Sequence, residues 1–344
     1  MTMLTNFRGL VLGTLCAFGA TAGLAQDLKP VSVATSTTGM LYLPIYVADT
    51  MGYFEDEGLK VTTQTMKSSA IMAAVIGGDV DIYPGTPSAG LRAASQGTDI
   101  RIFGTLLDQY ASNMVITGEK AKELGLTADS TLDERIAALK GLTIAVTGAG
   151  SGTHQLALYL LKRGGMNPDR DATIMFIGGS REILAAFEND RIDGFILSNP
   201  TSDTAVMDMD GFLMFDMVNG AIEELNGYPY ITLDAREAWL KEDPARATAF
   251  VTAIAKAQQA IRDPERGHEV RDKVYAAHLE QFDKKLFDAA WDNMALAYPE
   301  TPVITEAMLN KAIDYLNDFS EEKYDASLAR EALAGEYTAD IAAN

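Results

Sequence analysis

From about residue 30 the chain alternates short apolar runs with longer stretches in which apolar residues return every three or four positions. The runs VSVAT (31–35), KVTTQT (60–65), VDIYPG (80–85) and IRIFGTLL (100–107) have the length and β-branched content of strands. Helical patterns such as SSAIMAAVIGG (68–78) and SAGLRAASQG (88–97) lie between them. A second series follows, with LTIAV (142–146), ATIMFIGG (172–179), DGFILS (193–198) and GFLMFD (211–216) alternating with HQLALYLLKRGG and SREILAAFEND. Strands separated by helices imply a parallel sheet in each half, because a parallel neighbour needs a long crossover that a helix supplies. From Asp234 onward the period is helical throughout. Phe250, Ile254 and Ile261 fall near one face of one segment, and Phe287, Ala290, Trp291 and Met294 share a face of another. Amphipathic helices laid against a sheet are expected there, with these residues in the core.

The two halves echo each other. When KSSAIMAAVIGGDVDI (67–82) is set over GSREILAAFENDRIDG (179–194), Ser68 meets Ser180, Ile71 meets Ile183, and Asp81 meets Asp193. In each copy a serine opens a helix, where its hydroxyl is expected to cap unpaired N–H groups, and an aspartate precedes the next strand. The reading is two lobes of similar build.

The first residues bear on compartment. MTMLTNFRGLVLGTLCAFGATAGLAQ has one early positive charge (Arg8), an apolar stretch and small residues at Gly23 and Ala25. This is the layout of a secretory signal over residues 1–25, cleaved before Gln26, and a soluble periplasmic chain is expected. Lipid attachment at Cys16 is the alternative, opposed by Leu15 where a small residue belongs. Cys16 is the only cysteine, so after cleavage no disulfide, thiolate metal site or cysteine nucleophile remains. A formal net charge of −20 without a basic patch argues against nucleic acid and anionic membranes as partners. It leaves open the sign of a ligand held in a cleft.

The stretch TGAGSGTH (147–154) between a strand and a helix suits a bound anion or polar head. It lacks the Lys of a nucleotide-phosphate loop, and Thr153 stands where a dinucleotide fingerprint needs its third glycine. Comparable hydroxyl-rich turns follow other strands: STTGMLYLP (36–44), TMKSSA (65–70), PGTPSAG (84–90), GGSRE (178–182) and LSNPTS (197–202). Open α/β sheets bind ligands at such strand ends. The candidate ligand contacts are therefore Thr38, Met40 and Tyr42 in the first turn, Lys67, Ser68 and Ser69 in the second, and Thr86 and Ser88 in the third. From the other half they are Ser151, Gly152, Thr153 and His154, then Arg181 and Asn199. Lys67 and Arg181 offer positive charge, and Tyr42, Tyr46 and Tyr110 leave room for a flat aromatic guest. Catalytic chemistry finds no support: His154, His268 and His278 form no triad or zinc motif, and Asp79 and Asp81 lack calcium-loop spacing. No catalytic residue, metal or cofactor is expected.

LYLPIYVADTMGYFEDEGLKVTTQ, with its Gly-Tyr-Phe and Glu-Gly-Leu, resembles the opening of the periplasmic substrate-binding proteins of nitrate/sulfonate/taurine-type ABC transporters. AAVIGGDVDI, LKGLTIAVTGAGSGTHQLALYLLKRGGMNPD and AAFENDRIDGFILSNP extend the resemblance over about residues 30 to 235. It implies a type II periplasmic binding fold, with two α/β lobes closing on a solute and a helical C-terminal tail. Lobe I would be 26–114 plus 232–344 and lobe II 115–231, with crossings near 113–117 and 229–233. It also implies Ser151, Gly152 and Thr153 as the anion-facing turn, with 68–69 and 86–88 opposite. The implied partners are a small solute (sulfonate, nitrate, carboxylate or thiamine-precursor class) and an ABC permease, with the protein monomeric. Alternatives within the fold are a sensory module acting with a separate signalling partner and a pyrimidine-synthase-like enzyme. The enzyme branch uses a cysteine-rich motif that this chain lacks.

Overall fold

The computed structural model describes residues 27–342, so the signal expected over 1–25, with Arg8 and Cys16, lies outside the described residues. Its strands are β1 (Lys29–Thr35), β2 (Leu59–Thr65), β3 (Ile82–Gly85), β4 (Ile100–Gln109), β5 (Asn113–Thr117), β6 (Thr143–Val146), β7 (Thr173–Phe176), β8 (Gly194–Leu197), β9 (Gly211–Phe215) and β10 (Asn226–Arg236). They form two five-stranded sheets, ordered β2-β1-β3-β10-β4 and β7-β6-β8-β5-β9.

In each sheet the strand that opens the series lies between two parallel neighbours, β1 between β2 and β3, and β6 between β7 and β8. The remaining pairings correct the expectation of wholly parallel sheets. β10 runs antiparallel to β3 and β4, and β5 runs antiparallel to β8 and β9. The reason is chain economy. Only three residues separate the end of β4 in the first sheet from the start of β5 in the second, so the chain passes between the sheets with no helix. β10 likewise enters the first sheet directly from the second half, and each crossing strand therefore runs against its new neighbours.

The sequence echo has a structural counterpart. The Asp81 carboxylate accepts from Ser32 N at 2.8 Å and the Asp193 carboxylate accepts from Thr143 N at 2.8 Å, so each aspartate fastens the opening strand of its sheet. The echoed serines, however, are not caps. Ser68 and Ser180 are the first residues of helices Ser68–Gly77 and Ser180–Glu188, whose cap positions are Lys67 and Gly179 and carry no side-chain cap bond.

The tail ties the halves together. Phe250, Ile254, Ile261, Phe287, Ala290, Trp291 and Met294 are all buried, as their spacing requires. Helix Pro244–Arg262 lies on helix Leu43–Thr50, and Phe250 stacks on Phe54 at 5.1 Å. Helix Glu306–Phe319 packs on both β10 and helix Gly152–Arg163, with Tyr315 against Tyr159 at 5.0 Å. The tail thereby touches the second half as well as the first.

Candidate ligand-binding site

Each parallel strand ends in a turn that opens onto one shared cavity between the sheets, with a volume of about 980 Å³. The first half contributes the turns 36–39, 65–69 and 85–88, and the second contributes 147–153, 178–180 and 197–199. Ser112 and Tyr230, from the two crossings, form its floor, with their hydroxyls 2.6 Å apart. Parallel topology makes this arrangement inevitable, because every β-to-α turn leaves the same edge of its sheet.

Thr38, Tyr42, Lys67, Ser68, Ser69, Thr86, Ser88, Ser151, Gly152, Thr153 and Asn199 are brought together in the lining. Three expected contacts are elsewhere. Met40 sits in a 3-10 turn that directs its side chain into the core, where the Tyr298 hydroxyl donates to its carbonyl at 2.5 Å. His154 turns back on its own loop: Nδ1 accepts from Gly150 N at 3.0 Å and the ring meets Phe176 edge-on. Burial lowers its pKa, which keeps that nitrogen free to accept. Arg181 is exposed on helix Ser180–Glu188 and does not reach the cavity lining. Tyr46 and Tyr110 also lie behind the wall; Tyr110 is buried at the crossing and donates to Gly152 O at 2.7 Å.

The sequence reading missed Arg92, Gln96, Met72, Ile76, Tyr83 and Phe282, all of which line the cavity. Ala89, Arg92, Ala93 and Gln96 follow helical spacing along one face, as do Ser69, Met72 and Ile76. That spacing is the signal that finds them once the helix starts at 68 and 87 are known to face a cleft.

Electrostatics set the site apart from the rest of the chain. Lys67 and Arg92 line it, no aspartate or glutamate does, and the chain as a whole carries 48 acidic residues against 28 basic ones. Neither cation is ion-paired with a carboxylate among the described residues; Arg92 reaches the Tyr324 hydroxyl instead. Burial raises the phenols of Tyr42, Tyr83 and Tyr230, so they are neutral hydroxyls that can donate.

The halves already touch across the cavity. Gln155 Nε2 donates to Ser88 Oγ at 2.6 Å and to Gly150 O at 2.8 Å. A Cβ on Gly152 would lie 2.8 Å from Tyr230 Oη and 3.1 Å from Thr86 Cγ2, so this position needs glycine for close approach. Behind Asn199, both carboxylate oxygens of Asp203 accept from its Nδ2, at 2.9 and 2.8 Å.

Residues 29–274 match the NMT1-like family. A Bacillus subtilis binding protein, YtlA, is 25% identical over 276 residues, covering 79% of this chain and 77% of its own. The 4-amino-5-hydroxymethyl-2-methylpyrimidine phosphate synthase of Uromyces fabae is 24% identical over 273 residues, 74% of this chain and 73% of its own. The solved periplasmic aliphatic sulphonate binding protein SsuA from Escherichia coli shares the fold, with a TM-score of 0.66 at 15% identity over 89% of this chain and 97% of that one. The architecture is that of a periplasmic binding protein.

Proposed function

Because the chain belongs to the NMT1-like family, we propose that it is the periplasmic solute-binding component of an ABC importer, capturing a small organic anion and handing it to a membrane permease. The observation that carries this reading is the cavity at the strand ends, which holds two cations and no carboxylate in a strongly acidic chain. Its volume of about 980 Å³ favours an organic body over an ion as small as nitrate. The lobes in this reading are 26–114 plus 232–344 and 115–231, joined at the crossings near 113–117 and 229–233, and capture proceeds by closure about them with the protein acting as a monomer.

A synthase reading draws on the Uromyces relative. Against it, no aspartate or glutamate lines the cavity to pair with Lys67 or Arg92 as acid and base, and His154 is occupied by its own loop. Thermal unfolding with alkanesulfonates, aromatic carboxylates, nitrate and pyrimidines separates the readings. A ligand at a hundred times its Kd stabilises the folded state by about 2.7 kcal/mol. Organic anions are expected to raise the midpoint while remaining unconverted. Turnover of a bound pyrimidine, or stabilisation only by cations, would sink the importer reading.

A further inference from the structure

Phe282 is the single cavity-lining residue contributed by the tail beyond β10, among the described residues. Its surroundings hold it in place from both sides. It follows a π-helical turn, Tyr275–Leu279, and its N–H donates to Leu279 O at 3.1 Å. The Tyr275 hydroxyl donates to the Phe282 carbonyl at 2.9 Å. Asp283 then caps helix Lys284–Met294 by accepting from Lys285 N at 2.9 Å and Leu286 N at 3.1 Å. That helix lies against helix Thr201–Asp208 of the second half, so Phe282 stands where the tail spans the cleft. Phe282 is partly buried against the core and also lines the cavity. These bonds fix the main chain at Phe282, and packing against the core is what holds the side chain there as a wall.

The second half, by contrast, supplies glycines, hydroxyls, Ala149, the Asn199 amide and one large apolar side chain, Leu197. The apolar body of an organic ligand must therefore rest on the first half and on Phe282. We propose that Phe282 is a specificity-determining residue that limits the bulk of the apolar body accepted behind the anionic head, an inference that rests on the organic-anion reading above.

The test is a size series: methane- to octanesulfonate, benzenesulfonate and 2-naphthalenesulfonate, titrated calorimetrically into wild type, Phe282→Ala, Phe282→Leu and Lys67→Ala proteins. In Phe282→Ala the ratio of affinities for the bulkiest and smallest probes is expected to rise at least tenfold, and Phe282→Leu to fall between. Lys67→Ala is expected to weaken every probe by a similar factor and leave the ratio alone. Tight binding with an unchanged ratio in Phe282→Ala overturns this inference only. Binding of no anion by the wild-type protein removes the organic-anion reading and the inference with it. A second measurement does not depend on how Phe282→Ala folds. In a Cys16→Ser background, maleimide labelling of Phe282→Cys is expected to slow at least fivefold under a saturating bound sulfonate, and an unchanged rate overturns the assignment.

Discussion

The two walls of the cavity are built by the same βα logic and both carry hydroxyls, but they differ in what else they offer. The first half brings side chains: Lys67, Arg92, Tyr42, Tyr83, Met72 and Ile76. The second half brings main chain and hydroxyls from 147–153 and 178–180, with glycine at positions 148, 150, 152, 178 and 179. Much of what the second wall could donate is already engaged. Ser151 Oγ accepts from His154 N at 3.3 Å and donates to Gly148 O at 2.7 Å, while Thr153 Oγ1 accepts from Thr147 N at 3.1 Å. The difference teaches a division of labour. One wall sets charge and shape through side chains that can vary, and the other sets distance, through glycines that let its backbone come close.

The most severe way to break this division is at Gly152. Gly152→Ala puts a methyl where Tyr230 and Thr86 leave less than a contact distance, and Tyr230 is held by Ser112. Overpacking of this kind costs about 1–3 kcal/mol, so affinity for a bound anion is expected to fall up to roughly a hundredfold. Small-angle scattering should show a more open average shape. If the variant binds as wild type does and scatters identically, close approach of the second wall is not what the glycine provides.

Next in size is an effect behind the second wall. No carboxylate lines the cavity, yet Asp203 lies just beneath it and holds the Asn199 amide. Burial, with a further contribution from Asp216, raises its pKa from the ordinary 3.8 to about 6. The folded state therefore keeps a proton between about pH 4 and 6 that the unfolded chain releases, and stability falls as pH rises through that window, then levels off. The full shift corresponds to about 2–3 kcal/mol. Asp203→Asn should gain stability relative to wild type by that order between pH 4 and pH 7 in urea unfolding, with little change in ligand affinity. Parallel stability curves for the two proteins would show that the acid is not desolvated as the geometry implies.

What the sequence revealed and what it hid follow the same division. The second wall was legible because glycine and hydroxyl turns after a strand say where the backbone goes, and parallel topology then fixes which edge they occupy. The first wall was only half legible. Lys67 stands in a turn and was found, whereas Arg92 lies inside helix Pro87–Ser95, where its spacing reads as an ordinary solvated face. Phe282 was hidden further, because a helical tail gives no sequence sign of which half it will lean on. Met40 and His154 failed for a different reason. Both are in the expected turns, but the direction of a side chain depends on local backbone geometry that residue type does not encode. The echo of Asp81 and Asp193 was real, and its structural meaning is that each aspartate fastens the opening strand of its sheet.

The first wall is tested by its charges. Lys67→Ala and Arg92→Ala each remove an exposed cation, so the loss for a singly charged anion should be modest, about 1 kcal/mol or roughly fivefold apiece. Both variants should also flatten the dependence of affinity on salt, since screening acts on the charges that remain. Stability should hardly move, because neither residue is ion-paired with a carboxylate among the described residues. Unchanged affinity in both, with the salt dependence intact, would mean that the cavity attracts its anion by other means.

The smallest effect is expected at Ser151, and it separates the walls most finely. The residue lines the cavity, so a side-chain reading makes it a ligand contact; its hydroxyl, however, already accepts from His154 N and donates to Gly148 O. Ser151→Ala should then cost about 1 kcal/mol of stability as a lost helix cap. A hydroxyl with both roles filled has little left for a guest, so affinity should stay within about threefold of wild type. Thermal midpoints and calorimetric titration of the same preparations check both halves of this expectation. A tenfold loss of affinity at an unchanged midpoint would mean that the second wall also recognises by side chain, and the contrast between the walls would collapse.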